Sequence, residues 1–264
     1  MSQNIHPLAY IAKDVRLGDN VTVGAFAVIE SGVEIGANCV IGAHAVIQAY
    51  VKMGTANIVH PHAVLGDLPQ DTSFKKETIS WLHIGDNNTF REGFTAHRSA
   101  REHGITLIGS DCYFMANSHV AHDCIIGNKT IFANNVAIGG YVEVGNNVFI
   151  GGSVVAHQFC RIGSFAMVQG TTGLNMDVMP FMLIGGRPTR HYKLNTIGLR
   201  RAGITGERYN TLAQAVRLLK AKQSLDDLLD TEELIHLKTW LAVKSKRGIH
   251  PFIDISKTKY SIDD

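Results

Sequence analysis

"SHVAHDCIIGNKTIFANN", residues 118–135, sets two rhythms against each other. Val120, Ile126 and Phe132 bring a large apolar residue back every sixth position. An amphipathic helix repeats near 3.6 and a half-buried strand repeats at 2, so neither explains a beat of six. Inside the same stretch, His119 and His122 lie three apart, and Asp123 follows the second directly.

The beat extends far in both directions. It runs from Ile5 through Ile11, Leu17, Val23, Ile29, Ile35, Ile41 and Ile47 to Met53, and from Ile108 through Val144, Ile150 and Ile162 to Leu174. Four residues after each comes a small or β-branched side chain, such as Val21, Ala27, Val33 and Ala45. The pattern breaks in "DLPQDTSFKKETISW", residues 67–81, and in "AHRSAREHGIT", residues 96–106. A mainly β fold follows: a parallel β-helix in which one hexad makes one short strand and corner, and three hexads close an 18-residue coil. Glycine and asparagine are expected to relieve the corners.

The expected organisation is a β-helix over 1–187, with excursion loops at about 67–83 and 96–106, then a C-terminal α-helical domain over 188–264. Helices are predicted in "TGERYNTLAQAVRLLKAKQ", with Thr205 as N-cap, and in "SLDDLLD" and "TEELIHLKTWLAVKSK". From Phe181 onward there are 15 Lys/Arg against 9 Asp/Glu, so the tail is basic within a chain of net charge +2. A near-neutral chain argues against dedicated nucleic-acid binding. With no apolar run of about 18 residues and no secretory leader pattern, the expected location is cytoplasmic, with no transmembrane segment. Cys39, Cys112, Cys124 and Cys160 fall in the small inward position and read as buried thiols.

Stacking by 18 places His122, Gly140 and Gln158 at equivalent points of successive coils, with His157 beside Gln158. A base, a backbone N–H open to close approach and an amide on one edge make a plausible general-base site. Asp123 can fix the tautomer of His122. Zinc needs three converging ligands. His122 and His157 lie two coils apart, so a zinc-dependent lyase is the weaker alternative and the expected metal is none. No phosphate-binding or dinucleotide motif occurs, so no cofactor is expected.

"NSHVAHDCIIGN" (117–128), "VVAHQFCRIG" (154–163), "PQD" (69–71), "TAHR" (95–98), "GLRRAGIT" (198–205) and "SKRGI" (245–249) together resemble the UDP-N-acetylglucosamine O-acyltransferases, first enzymes of lipid A biosynthesis. The resemblance runs through nearly the whole chain. It implies a left-handed β-helix and a homotrimer. It also implies transfer of a 3-hydroxyacyl group from acyl carrier protein to the sugar 3-hydroxyl. It further implies that His122 is the general base, Asp123 its support and the Gly140 N–H an oxyanion donor. Asp71, His97, His119, Tyr141, His157, Gln158 and Arg201 are implied to bind substrate, and Gly170 to limit acyl length. Tyr141 stands where the family commonly has histidine, and Ser73 where it commonly has lysine. A related enzyme acylating a 3-amino nucleotide sugar therefore stays open.

Overall fold

The computed structural model describes residues 4–254. Three parallel sheets of 11, 9 and 8 strands form the faces of a triangular prism, a left-handed parallel β-helix. Most strands are two residues long, and the chain visits the three sheets in rotation. Asn4 pairs with Thr22, Tyr10 with Val28 and Arg16 with Glu34, so the 18-residue coil is as the repeat requires. The aliphatic beat points inward: Val23, Ile29, Ile41, Ile47, Ile126, Ile138 and Ile150 are buried in one continuous core. Three phenylalanines on the beat, Phe90, Phe114 and Phe132, stack inside one face, with Phe94 against two of them.

The corners depart from expectation. The second corner residue has positive φ in coil after coil, and most such residues are not glycine: Asn20, Asn38, Asn117 and Asn135 occur, but so do Phe26, His44, Tyr50, Tyr141, Phe159 and Phe165. Left-handed backbone costs a bulky residue about 1 kcal/mol or more. Two interactions offset it. The N–H of the second corner residue donates to the first corner residue of the preceding coil, as from Tyr141 to His122 (3.1 Å) and from Phe159 to Gly140 (3.1 Å). The rings also stack in columns along the edges, such as Phe26–His44–His62 and Tyr141–Phe159.

Buried polar groups on the inward positions are satisfied between coils. Asn57 and Asn88 bridge successive corners, with the Asn88 amide donating to both Asn57 Oδ1 and the Gly109 carbonyl. The four cysteines are free and buried. Sγ of Cys39, Cys112 and Cys124 reaches a glycine carbonyl one coil on at 3.1–3.2 Å. Burial pushes the Cys124 thiol up to about 12, and those of Cys112 and Cys160 to about 11.

Both excursions leave at one and the same corner. The register jumps from 18 to 31 between Val64 and Thr95, and is 24 between Thr95 and His119. The loops therefore span 68–80 and 98–104 and stand directly before the corner that holds His122. Arg98 ties them together from a buried position. Its guanidinium donates to the carbonyl of Thr78 (2.7 Å) and packs over Tyr50 and Phe74.

Past Leu174 the prism is closed by a second apolar cluster that includes Phe181, Leu199, Leu212, Leu234 and Leu237. The strand Met182–Gly185 continues one sheet, and Arg190–Leu194 pairs with it antiparallel, so residues on both sides of 187 share that sheet. Three helices follow: α1 (Thr196–Arg201), α2 (Gly206–Lys220) and α3 (Glu232–Ala242). Thr205 is the N-cap of α2 as expected, though without a side-chain capping bond, and Thr231 caps α3 through its side chain. The short α1 carries no periodic signal in the sequence, and one expected helix is corrected. "SLDDLLD" is a turn region in which the Ser224 hydroxyl accepts from the Asp226 N–H and donates to the Asp226 carboxylate, a local bond that competes with a helical start. Among the described residues, no helix is long and apolar enough to cross a membrane.

The coil end and the tail are joined through buried groups. Arg161 pairs with Asp177 at 2.7 Å beneath the Trp240 ring of α3. His191 accepts from the Met179 N–H at Nε2 and donates from Nδ1 to the His250 carbonyl at 2.7 Å. Acceptance at Nε2 requires the neutral ring, and burial lowers its pKa to about 4. With an unfolded value near 6.5, stability is full above that pH, falls between about 6.5 and 4, and levels below. The expected loss is on the order of 3 kcal/mol. Thermal unfolding followed from pH 7.5 to pH 4 checks this. The His191→Asn variant is expected to be less stable at pH 7.5 and to show a shallower decline over that range.

Candidate active site

The corner after the strand His119–Val120 turns the chain through His122 and Asp123, with Asp123 at φ +60°. That left-handed corner sends the carboxylate under the 98–104 loop, where its side chain is 0% exposed. Four donors meet it. Oδ1 accepts from Ser99 Oγ (2.5 Å) and Arg101 Nε (2.8 Å). Oδ2 accepts from the Ala100 N–H (3.0 Å) and His122 Nδ1 (2.9 Å). The Asp123 N–H donates to Thr106 Oγ1 at 2.7 Å. Burial alone would raise the pKa of Asp123, but these hydrogen bonds outweigh it and hold the carboxyl well below the usual range. An ionised Asp123 fixes the proton of His122 on Nδ1 and leaves the Nε2 lone pair available.

The next coil places Gly140 against the His122 ring. A Cβ at Gly140 would stand 2.7 Å from Cε1 and 2.8 Å from Nε2 of His122, so no larger residue fits while the ring stays. Among the described residues, the Gly140 N–H has no hydrogen-bond partner. Tyr141 meets the His122 ring edge-on at 5.4 Å and stacks on Phe159 at 4.8 Å.

Two further histidines flank this corner. His97 and His119 meet edge to face at 4.8 Å, and Thr95 Oγ1 lies 2.7 Å from His119 Nδ1. Burial, then the neighbouring His97 and His122, pushes His119 down to about 4, and burial lowers His97 as well. Both are neutral at pH 7. His97 Nδ1 is buried with no protein partner. Asp71 in the 68–80 loop accepts from the Ser73 hydroxyl (2.7 Å) and N–H (2.9 Å). Those bonds, with a smaller contribution from His122, lower its pKa. Ser73 thus fixes the Asp71 carboxylate.

Further along the same edge, His157 and Gln158 are exposed two coils on. His157 lines a 690 Å³ groove with Val155, Gly173, Asn175 and Arg190. Gly170 and Arg201 are not brought to His122. Gly170 lies at the opposite border of the sheet that carries His119, beside a groove lined by Ser153, Thr171 and Gly173. Arg201 sits on α1, over a different face, and lines a 520 Å³ groove with Lys129, Ile131 and Phe149. No group of three or more His, Cys, Asp or Glu side chains converges as metal ligands among the described residues. Sequence reasoning missed Ser99, Arg101 and Arg98. The only signal was that the second break in the repeat is rich in polar residues.

Comparison with known proteins fits this geometry. Residues 177–250 match a family model described as "Udp N-acetylglucosamine O-acyltransferase; Domain 2", and residues 14–49 and 105–140 match bacterial transferase hexapeptide repeats. The acyl-[acyl-carrier-protein]–UDP-N-acetylglucosamine O-acyltransferase of Alkalilimnicola ehrlichii is 43% identical over 255 residues, 93% of this chain and 98% of that protein. The Halorhodospira halophila protein of the same name is 42% identical over 96% of this chain and 97% of its own. A shorter match, to the Anaeromyxobacter sp. protein of that name, is 44% identical over 59% of this chain and 60% of that protein. Among solved structures, UDP-N-acetylglucosamine acyltransferase from Campylobacter jejuni superposes with a TM-score of 0.88 at 33% identity, covering 95% of this chain and 100% of that one. The Bacteroides fragilis enzyme gives 0.88 at 34% identity, covering 92% and 98%. The chain belongs to the acyl-[acyl-carrier-protein]–UDP-N-acetylglucosamine O-acyltransferase family.

Proposed function

We propose that this protein transfers a 3-hydroxyacyl group from acyl carrier protein to the 3-hydroxyl of UDP-N-acetylglucosamine, with His122 as general base. The observation that carries the assignment is the saturated Asp123, which leaves His122 one open nitrogen beside the Gly140 N–H. Nε2 removes the proton of the sugar hydroxyl as its oxygen attacks the thioester carbonyl. The new C–O bond forms a tetrahedral intermediate whose oxyanion accepts from the Gly140 N–H. The C–S bond then breaks, and His122 returns the proton to the departing thiolate. No cofactor is required.

In this reading, Asp71, His97, His119, Tyr141, His157 and Gln158 line the sugar and carrier path around the corner. Neutral His97 and His119 offer hydrogen bonds rather than charge. The acyl chain runs across the sheet face toward Gly170, which leaves space for a long chain. Arg201 lies over another face of the prism and Gly170 at the far border of the sheet that leads into His122, so a homotrimer would complete the site by setting a neighbour's face against this corner. Exposed apolar residues on two sheets, Leu107 and Ile125 on one and Val155 on another, favour such packing. The coils of 1–187 then carry the reacting groups. The basic segment 188–264, with Arg200, Arg217, Lys220 and Lys222, would face the acidic carrier protein.

Turnover of 3-hydroxyacyl carrier proteins with UDP-N-acetylglucosamine, and with its 3-amino analogue alongside, tests the activity directly. His122→Asn is expected to lower kcat by about 10²–10⁴-fold with unfolding unchanged. Retained turnover would remove His122 from the base role. Gly140→Ala keeps the N–H but displaces the His122 ring, and kcat is expected to fall about 10²-fold, more than KM rises. Gly170→Met, across a donor panel, is expected to move the preference to shorter chains. An unchanged preference would exclude Gly170 as the length limit.

A further inference from the structure

Three of the four donors on Asp123 come from the 98–104 loop, and only one of those three is charged. Arg101 is 63% exposed, while its partner carboxylate is fully buried. Its Nε is committed to Asp123 Oδ1, and its guanidinium carbon lies 5.7 Å from the centre of the Tyr141 ring. Tyr141 in turn touches the His122 ring edge-on and stacks on Phe159, and Lys246 Nζ lies 5.0 Å from the far member of that stack. Arg101 therefore contacts both groups that hold the His122 ring: the carboxylate on its Nδ1 side and the aromatic wall beside it.

We propose that Arg101 is a positioning residue for the acyl transfer: it clamps Asp123 and Tyr141 about His122 and tempers the pull of Asp123 on the His122 proton. The inference rests on the reading of His122 as general base. A buried carboxylate with no other counter-charge stabilises an imidazolium beside it, so His122 would keep its proton at pH values where a base must have lost it. A guanidinium on the same carboxylate spreads that negative charge and weakens the pull. The other ionisable groups facing His122 are His97 and His119 on the flanking strands, Asp71 in the 68–80 loop, and Tyr141 on the next coil. The two histidines are neutral at pH 7. Asp71 is negative and acts in the same direction as Asp123, which leaves Arg101 as the cation bonded to the dyad.

The sign of the effect is fixed by this arrangement. Without Arg101, the pull of the Asp123 carboxylate is unopposed, so the acid limb of kcat/KM moves upward. For Arg101→Gln the expected shift is about 0.5–1 pH unit, with kcat at the plateau reduced about threefold to tenfold as Tyr141 loosens. Arg101→Lys keeps the charge but loses the planar contact with Tyr141, so its acid limb is expected to return close to that of the unmodified protein while the plateau stays low. Overlapping pH profiles for Arg101→Gln and the unmodified protein would overturn the proposal. So would equal profiles for the Gln and Lys variants, which would leave Arg101 a loop anchor only. His122→Asn, measured in parallel, separates the two readings. If it is inactive and the Arg101→Gln profile is unshifted, only the Arg101 inference fails. If it retains activity, the base assignment falls and the Arg101 inference with it.

Discussion

Everything in this molecule depends on the hydrogen bonding of each coil to the next in fixed register. With strands of two residues, a single coil buries too little to stand alone, and its backbone groups find partners only in the coils before and after. An insertion cannot enter a strand without breaking that register. It can leave only at a corner, where a residue in left-handed backbone already turns the chain. Both excursions take the same corner column. The prism edge that accumulates loops is therefore the edge that acquires polar residues free to do chemistry.

The same stacking sets the geometry of the site. His122 and Gly140 are neighbours because they occupy one corner position on successive coils, and the coil spacing brings the ring against the glycine Cα. Asp123 needs the left-handed corner to tuck its carboxylate inward. A buried carboxylate would be costly alone. Ser99, the Ala100 N–H, Arg101 and His122 make it affordable, and each aims it more narrowly. The rigid coils supply position, and the loop supplies electrostatics.

Much of this was legible in the sequence because the period of six maps linearly onto space. Ile126 is inward, Cys124 is buried, and His122, Gly140 and Gln158 share an edge, each by counting alone. The unread features are those with no period. Nothing in "RSARE" says that three donors from this loop converge on Asp123, since the loop shape follows from its docking and not from a repeat. Aromatic residues at positive-φ corners contradict local preference, because column stacking one coil away is a long-range gain that local rules omit. In "SLDDLLD" the Ser224 hydroxyl takes the Asp226 N–H into a local turn, which no periodicity announces. Arg201 and Gly170 could be matched by resemblance but not assembled with His122, since Arg201 lies over another face of the prism and Gly170 at the far border of the sheet.

That separation has an electrostatic logic. The acceptor carries a diphosphate, and a cluster of charged histidines would attract it to the reacting corner. Here burial holds His97 and His119 neutral, and the charge of Asp123 is divided among four donors. Positive charge is instead concentrated in the tail beyond Phe181, with Arg200 and Arg201 in the last turn of α1. The basic tail and the His122–Asp123 corner thus lie on different faces of one chain. Two copies set face to edge would bring them together without either disturbing the other.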